Sequence, residues 1–304
     1  MGGKVTRLKG DMDDVDALLE IINVIKDVAT NRFFTFSQRK ANFRKFFEAF
    51  LVFFRNVQDI ETDCPLLKNN NPKVAIVSIA SDQAFMAQGN SRVSSITLDQ
   101  VQKNPGARVI VLGRRCAEKM KLLGIPNIDR VFRADQYPDR YALTLALREC
   151  IVDLVMSGQV GKVILIHLWA KTFSIIKPRI LTLLPASELV RTKGGDEEAA
   201  PPPPEKEEAQ VSEAKYETIL ESTPDHIMKA LADIWIHSRL YELASDILLV
   251  EAAVQSQQLE SAMESLGAER KGLLTSFRKA GRDELNKSMR EVFTQTSFTK
   301  GGKR

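Results

Sequence analysis

The longest helical pattern in this sequence runs from about Pro224 to about Phe293, and no proline interrupts it. At ~1.5 Å of rise per residue, such a helix extends over roughly 105 Å, several times the diameter of a small domain. From Leu240 to Val254, apolar residues recur at alternating steps of three and four, which is the spacing of a seam that faces a partner helix. The seam consists of Leu240, Leu243, Ile247, Val250, Val254, Leu259, Met263, Leu266, Leu273, Phe277, Met289 and Val292.

Two features of this C-terminal helix leave alternatives open. The seam is interrupted at Gln255–Gln258, which predicts a locally looser coil that leucines at these positions would stiffen. Gly267 and Gly281 offer possible breaks into two or three stacked helices. One continuous helix is favoured, because a glycine inside a helix costs only ~1 kcal/mol.

A second long helix is predicted at the other end of the chain, from about Asp11 to about Val57. Acidic residues open it, where the helix dipole favours negative charge. Its predicted seam advances by four, three and four residues and consists of Leu18, Ile22, Ile25 and Ala29. Two long helices from opposite ends of one chain indicate an antiparallel coiled coil.

Phenylalanines and basic residues are interleaved between Arg32 and Arg55. Such interleaving can indicate a nucleic-acid-binding protein. The phenylalanines recur at helical spacing, however, which favours one helix face packing on a neighbouring domain. The net charge of +4, from 43 basic and 39 acidic residues, is too small to indicate nucleic acid by itself. We therefore expect no nucleic-acid partner.

Strand and helix patterns alternate in the middle of the chain, which is typical of a three-layer α/β domain with mainly parallel strands. Ser81–Asn90 has the composition of a loop after the first strand. The predicted strands are Lys73–Ala80, Arg108–Leu112, Asp129–Arg133 and Lys162–Trp169, with Ile175–Leu184 as a hairpin partner, and the predicted helices are Leu98–Lys103, Arg114–Leu123 and Pro138–Ser157.

The sequence thus predicts an α/β protein in which a Rossmann-like three-layer domain accompanies a long antiparallel coiled coil of N- and C-terminal helices. The N-terminal helix takes residues 1–60, the α/β domain 70–186 and the C-terminal helix 216–304. Residues 187–215 form a linker, because four consecutive prolines among acidic residues cannot build a core.

The residue patterns of catalytic sites are missing from the sequence. Gly113 follows a strand and precedes a helix, but it lacks the further glycines of a dinucleotide fingerprint, and no GxxxxGK[ST] phosphate loop is present. The three histidines are scattered, and His167 within an apolar strand is best explained as a core residue. Three separated cysteines have no metal-ligand spacing and indicate free thiols in a reducing compartment. We expect a non-catalytic protein without a cofactor or metal, and without a signal peptide or membrane-spanning segment.

Five stretches, in order along the chain, resemble the gamma subunits of F-type ATP synthases. EIINVIKDVATNRF, Glu20–Phe33, is similar to the family pattern KITKAMKMVAASKL, and SDQAFMAQGN, Ser81–Asn90, is similar to SDRGLCGAFN. ESTPDHIMKALADIW, Glu221–Trp235, resembles the family's entry to the last helix. Further on, Glu251 falls on the glutamate of SEQAARM, and Arg278–Arg282 falls on NKARQ.

Several positions depart from the family pattern. The Met-x-Met of the first motif is Ile25 and Asp27, two glycines of the second are Ala84 and Ala87, and the last two residues of NKARQ are Gly281 and Arg282. The departures leave open a standard proton-driven synthase or a divergent rotary ATPase, such as an ion-pumping or motility paralogue.

The resemblance implies the central-stalk rotor of a rotary ATP synthase, which couples ATP synthesis or hydrolysis in the catalytic hexamer to rotation and ion transport. Implied partners are alpha and beta nucleotide-binding subunits in three copies each, an epsilon-type small stalk subunit and the membrane c-ring. The implied location is peripheral, on the cytoplasmic side of the cell membrane. The implied contacts with the catalytic subunits are Ile25, Lys26, Arg32, Glu251, Lys279, Gly281 and Arg282.

The alternative from another class is a cytosolic coiled-coil scaffold or adaptor with an α/β binding domain. Its coil would self-associate, so the isolated chain would form a stable homodimer. A rotor alone would be monomeric or unstable, because its seams need partners.

Overall fold

The computed structural model describes residues 3–55, 63–125, 128–186 and 222–301. The elements, in chain order, are α1 (Gly3–Arg55), β1 (Val74–Ile79), α2 (Ala87–Lys103), β2 (Arg108–Leu112), α3 (Arg114–Leu122), β3 (Ile128–Phe132), α4 (Arg140–Met156), β4 (Lys162–Ala170), β5 (Ile176–Leu184) and α5 (Pro224–Gly301). Short 3₁₀ turns lie at Ala84–Met86 and Ala134–Gln136.

The chain divides into two compact units. We call Phe33–Glu251 the sheet unit, and Met1–Arg32 together with Ala252–Arg304 the coil unit. The predicted linker over 187–215 lies outside the described residues.

The sheet unit contains one five-stranded sheet in the order β3-β2-β1-β4-β5. The first four strands are parallel, and Val77 of the central strand is in register with Ile110 of β2 and Leu165 of β4. The fifth strand runs antiparallel to β4, with Leu181 opposite Leu165, which confirms the predicted hairpin.

Alternate residues of β1 face different helices. Ala75, Val77 and Ile79 join a buried cluster that also contains side chains of α1, α4 and α5. Ser78 points the other way, and its hydroxyl lies 2.7 Å from that of Thr97 on α2. Helices therefore cover both faces of the sheet, and the predicted three-layer α/β architecture is confirmed.

The prediction of a loop over Ser81–Asn90 and a helix over Leu98–Lys103 was wrong in its boundaries. The structure has a 3₁₀ turn at Ala84–Met86, and the helix begins eleven residues earlier than predicted, at Ala87. The inward side of α2 carries Asn90, Ser94 and Thr97 among its buried residues. Because these side chains are polar, the apolar periodicity of the helix is weak in the sequence.

The phenylalanines of α1 pack as their helical spacing predicts. Phe50 and Phe54 are buried in the main cluster of the sheet unit. Phe33 packs edge-on against Phe173, with ring centroids 5.0 Å apart, and Phe43 contacts Tyr241 of α5 at 5.6 Å. The aromatic stripe thus builds the contact between helices and sheet inside this unit.

In the coil unit, α1 and α5 run antiparallel, and the predicted seam of α1 needs a correction. Leu18 and Ile25 are 48% and 40% exposed, whereas Val15 and Ala29 are buried. The residues of α1 that face inward are Val5, Leu8, Met12, Val15, Leu19, Ile22, Lys26 and Ala29. The helix carries two apolar series at three- and four-residue steps, and only packing against α5 determines which of them is covered.

The C-terminal helix is continuous from Pro224 to Gly301, so neither Gly267 nor Gly281 breaks it. Leu259, Met263, Leu266, Leu273 and Phe277 are half-buried, as a two-helix seam requires. Met289 and Val292, which the sequence assigned to the seam, are exposed. Counted from the contact of Asp16 with Arg270, α1 reaches its described start at Gly3 when α5 has reached Asp283. Beyond that point no described residue of α1 lies opposite α5.

Candidate partner-binding surfaces

Polar contacts between described residues of α1 and α5 in the coil unit include Asp16 with Arg270 and Thr30 with Ser256. The guanidinium of Arg270 donates two hydrogen bonds to the carboxylate of Asp16, one of them 3.0 Å long from Nη2 to Oδ2. These hydrogen bonds lower the pKa of Asp16. The hydroxyls of Thr30 and Ser256 lie 3.1 Å apart. The guanidinium of Arg270 is therefore engaged within the chain.

An apolar stripe lies on the side of α1 that faces away from the seam. We call Leu18, Ile21, Val24, Ile25 and Val28 the outer stripe; Ile21 and Val24 are more than half exposed. Scattered exposed apolar residues are ordinary, but a contiguous row of them marks an interaction surface. The signal for this surface is present in the sequence as the second apolar series of α1.

A second exposed apolar surface lies on the last turns of α5, beyond the start of α1. It consists of Leu285, Met289, Val292 and Phe293, all more than half exposed. Three of them advance by four and three residues, so they form one row on the helix. We call this row the end stripe.

The predicted contact residues on α1 fall on different sides of the helix. Ile25 belongs to the outer stripe, and Arg32 is exposed. Lys26 is half-buried at a seam position. Lys279 and Arg282 are exposed on α5, and a Cβ at Gly281 would meet nothing within 4 Å. These α5 residues lie at the opposite end of the seam from Lys26 and do not form one site with it.

Glu251, the remaining predicted contact, is half-buried in the sheet unit and accepts a hydrogen bond from Ser81. The Ser81 hydroxyl in turn accepts one from the Gln83 backbone N–H at 3.0 Å. Asn90 holds the Ser81 backbone through its side-chain amide, with Nδ2 2.7 Å from the carbonyl oxygen. Burial raises the pKa of Glu251. The stretch Ser81–Asn90, which resembles a family motif, therefore connects α5 to the end of β1 through hydrogen bonds.

A partly buried ion pair connects α1 and α5 within the sheet unit. The Lys40 ammonium lies 2.7 Å from Oδ2 of Asp246, which is buried. His167 on β4 is also buried, and its Nδ1 lies 3.0 Å from the Leu168 carbonyl oxygen. Burial lowers the pKa of His167 to about 4, so it is neutral at physiological pH. This agrees with its interpretation as a core histidine.

Gly113 has a packing role in the structure. Its φ is +113°, and a Cβ on it would lie 3.0 Å from the backbone oxygen of Ala80. The glycine therefore allows the ends of β1 and β2 to approach closely.

Within the described ranges, no three His, Cys, Asp or Glu side chains are grouped as a metal site requires. The helices of those ranges also contain no stretch that is long and apolar enough to cross a membrane. The features that remain as candidates for function are the two apolar stripes and the polar contacts between the long helices.

Solved structures with a similar fold come from mitochondrial ATP synthases. A chain of the Euglena gracilis complex of OSCP, F1 and c-ring aligns with a TM-score of 0.59 and 13% identity, over 100% of this chain and 97% of that chain. A chain of the Tetrahymena thermophila central stalk and c-ring aligns with a TM-score of 0.55 and 14% identity, over 80% and 99%. The predicted fold class is thus confirmed.

Sequence relatives agree with the structural neighbours. The ATP synthase gamma chain of Helicobacter acinonychis is 24% identical over 227 residues, or 72% of this chain and 70% of that protein. The gamma chain of Gloeothece citriformis is 24% identical over 248 residues, or 76% and 78%. Residues 4–294 match the protein family described as ATP synthase. The chain therefore belongs to the ATP synthase family, and its similarity is to the gamma chains of that family.

Proposed function

We propose that this chain is the central-stalk rotor subunit of a rotary ATP synthase or ATPase, as its similarity to the gamma chains indicates. The observation that carries the proposal is the outer stripe on a two-helix coil. A coil that worked alone in water would cover its apolar residues in the seam, whereas this one also presents a row of them outward. Such a row suits a shaft that is surrounded by other subunits.

Rotation couples the shaft to catalysis through unequal contacts. Three chemically equivalent catalytic sites around one asymmetric coil cannot all make the same contacts with it. Turning the coil therefore changes the relative free energies of each site's conformations. The chain itself is a non-catalytic subunit, and ATP synthesis or hydrolysis takes place on its partners.

The two kinds of exposed side chain suit different parts of this task. The outer stripe and the end stripe offer apolar contacts without direction, so the neighbouring subunits can slide past them. Arg32, Lys279 and Arg282 are exposed cations that suit acidic loops of those subunits. An exposed ion pair contributes only ~0–1 kcal/mol, so each contact can form and break within a turn.

The proposed partners are three alpha and three beta subunits around the coil unit, with an epsilon-type small subunit and the membrane c-ring against the sheet unit. The Tetrahymena neighbour is named as a central stalk with a c-ring. The proposed location is peripheral, on the cytoplasmic side of the cell membrane. The proposed contacts with the catalytic subunits remain Ile25, Lys26, Arg32, Lys279, Gly281 and Arg282. Glu251 would contribute indirectly, through the hydrogen bond with Ser81 that connects α5 to the end of β1.

A native pull-down tests the proposal. The full chain carries a tag within residues 196–208, and the intact recovered complex is weighed. One copy of this chain with three copies each of two nucleotide-binding subunits is the expected result. A homodimer without ATPase subunits would overturn the proposal and support a coiled-coil scaffold.

A further inference from the structure

We propose that polar contacts between α1 and α5 fix the register of the two helices, so that they cannot slide along one another under load. The proposed rotor function explains why a fixed register would be useful, and the inference rests on that function in this respect alone. The register itself is a property of the isolated chain and is measured on it.

Polar or charged contacts between the helices share one register. The contacts are Asp16 with Arg270 and Thr30 with Ser256 in the coil unit, and Lys40 with Asp246 and Phe47 with Arg239 in the sheet unit. The two residue numbers add to the same total in every pair. Each step forward along α1 is thus matched by one step back along α5, without a skip inside either unit.

Apolar packing alone does not select this register. The seam residues of both helices recur at three- and four-residue steps, so their pattern repeats every seven residues. A slip by one heptad brings Leu19 from Leu266 to Leu259 in one direction, or to Leu273 in the other. In either case leucine meets leucine, so the apolar contact of Leu19 is restored.

The charged residues distinguish the two slipped states from the observed one. The slip that brings Leu19 to Leu259 also places Lys40 opposite Arg239 and Lys9 opposite Arg270. The slip that brings Leu19 to Leu273 places Asp246 opposite Phe47 and Arg270 opposite Asn23. Like charges repel, and a buried charge without a partner is costly, so both slipped states are disfavoured.

The coil unit depends most on this discrimination, because it has no sheet to hold the helices. Arg270 occupies a seam position where the neighbouring members Leu266 and Leu273 are apolar, and it reaches across to Asp16 with two donors. A guanidinium with two bonds to one carboxylate is a directional contact. Asp16 and Arg270 are therefore positioning residues for the shaft.

Cysteine crosslinking measures the register directly. Leu19→Cys is combined with Leu266→Cys for the observed register, and with Leu259→Cys or Leu273→Cys for the two slipped registers. The full chain is oxidised, and peptide mass spectrometry identifies which cysteines are linked, so the native cysteines remain in place. In the otherwise unchanged chain, only the Leu266→Cys combination crosslinks efficiently.

The contact between Asp16 and Arg270 is then removed with Asp16→Asn and Arg270→Leu. We expect the slipped crosslinks to increase on the order of fivefold, as an exposed ion pair allows. The exchange of Asp16→Arg with Arg270→Asp should return them to the original level. Asp14→Asn with Lys271→Leu is the matched control. Both native side chains are exposed, and they lie close in sequence to Asp16 and Arg270, respectively.

If the crosslinks stay unchanged after the contact between Asp16 and Arg270 is removed, and helicity is retained, the inference is overturned. Apolar packing would then determine the register. The outcome is separate from the pull-down above. A chain that recovers no ATPase subunits can still show a register that depends on Asp16 and Arg270, and a chain that recovers them can lack it.

Discussion

Ser256 of α5 meets Thr30 of α1 at the point where the apolar seam of α5 is interrupted. Thr30 donates its hydroxyl hydrogen to the Lys26 carbonyl oxygen at 2.9 Å, so Ser256 donates to Thr30 across 3.1 Å. Ser256 is only 2% exposed. The interruption is thus a tightly packed contact between hydroxyl groups.

Replacing Ser256 with leucine should destabilise the chain, contrary to the sequence-based expectation that leucines stiffen this stretch. The larger side chain enters a position that is already covered, and overpacking costs about 1–3 kcal/mol. Urea unfolding measures the change, and Glu260→Leu at an exposed position is the control. An increase in the unfolding free energy would restore the original expectation.

Removing the charge of Lys40 should destabilise the sheet unit. Lys40→Met leaves the buried Asp246 carboxylate without its partner, which costs about 2–3 kcal/mol, at the low end for buried pairs because Lys40 is partly exposed. Adding Asp246→Leu should recover most of the loss. The comparison uses urea unfolding, with exposed Lys45→Met as the control. Additive losses in the double variant would contradict the pairing.

His167 should make the folded chain sensitive to acid. Its pKa falls from 6.5 to about 4 on burial, so the unfolded chain binds a proton in this interval and the folded chain does not. The stability from this residue is therefore lost as the pH decreases from 6.5 towards 4. We expect His167→Gln to have a shallower dependence of unfolding free energy on pH. An equally steep pH dependence in His167→Gln would contradict this assignment.

Glu251 should act in the opposite direction. Burial raises its pKa above 4.5, so the folded chain keeps a proton that the unfolded chain has released. Its contribution to stability therefore decreases as the pH rises above 4.5. Glu251→Gln keeps a side chain that can bond to Ser81 and should remove this decrease. Unfolding is measured as a function of pH, with exposed Glu260→Gln alongside. Identical curves for Glu251→Gln and the unchanged chain would exclude the effect.

The outer stripe should be needed for assembly and not for folding. Ile21→Asp with Ile25→Asp changes two exposed side chains, so we expect the unfolding free energy to stay within about 0.5 kcal/mol. Recovery of the catalytic subunits in the pull-down should decrease strongly, because the charges would be desolvated against an apolar neighbour. Asn23→Asp, at an exposed position between them, is the control. Full recovery with the double variant would argue against the stripe as a contact.

The sequence predicted the five strands and both long helices because those elements have strong apolar patterns. It misassigned the seam of α1, since Leu18 and Ile25 have the same spacing as Val15 and Ile22, and spacing carries no information about which series is covered. It missed the beginning of α2 because Asn90, Ser94 and Thr97 form part of its buried side. The partner of Glu251 depends on tertiary structure, because Ser81 is distant in the chain.

The portion of α5 that extends past the start of α1 has a mechanical consequence. Two packed helices resist bending and twisting more than one, because the stiffness of a rod rises steeply with its width. Within the coil unit, the seam with α1 is therefore the stiff segment, and the turns that carry Leu285 and Phe293 are the soft one. Angular strain between two ends collects in the softer of two springs in series. A torque along the coil unit would therefore twist the turns around Leu285 more than the segment in which α5 is paired with the described residues of α1.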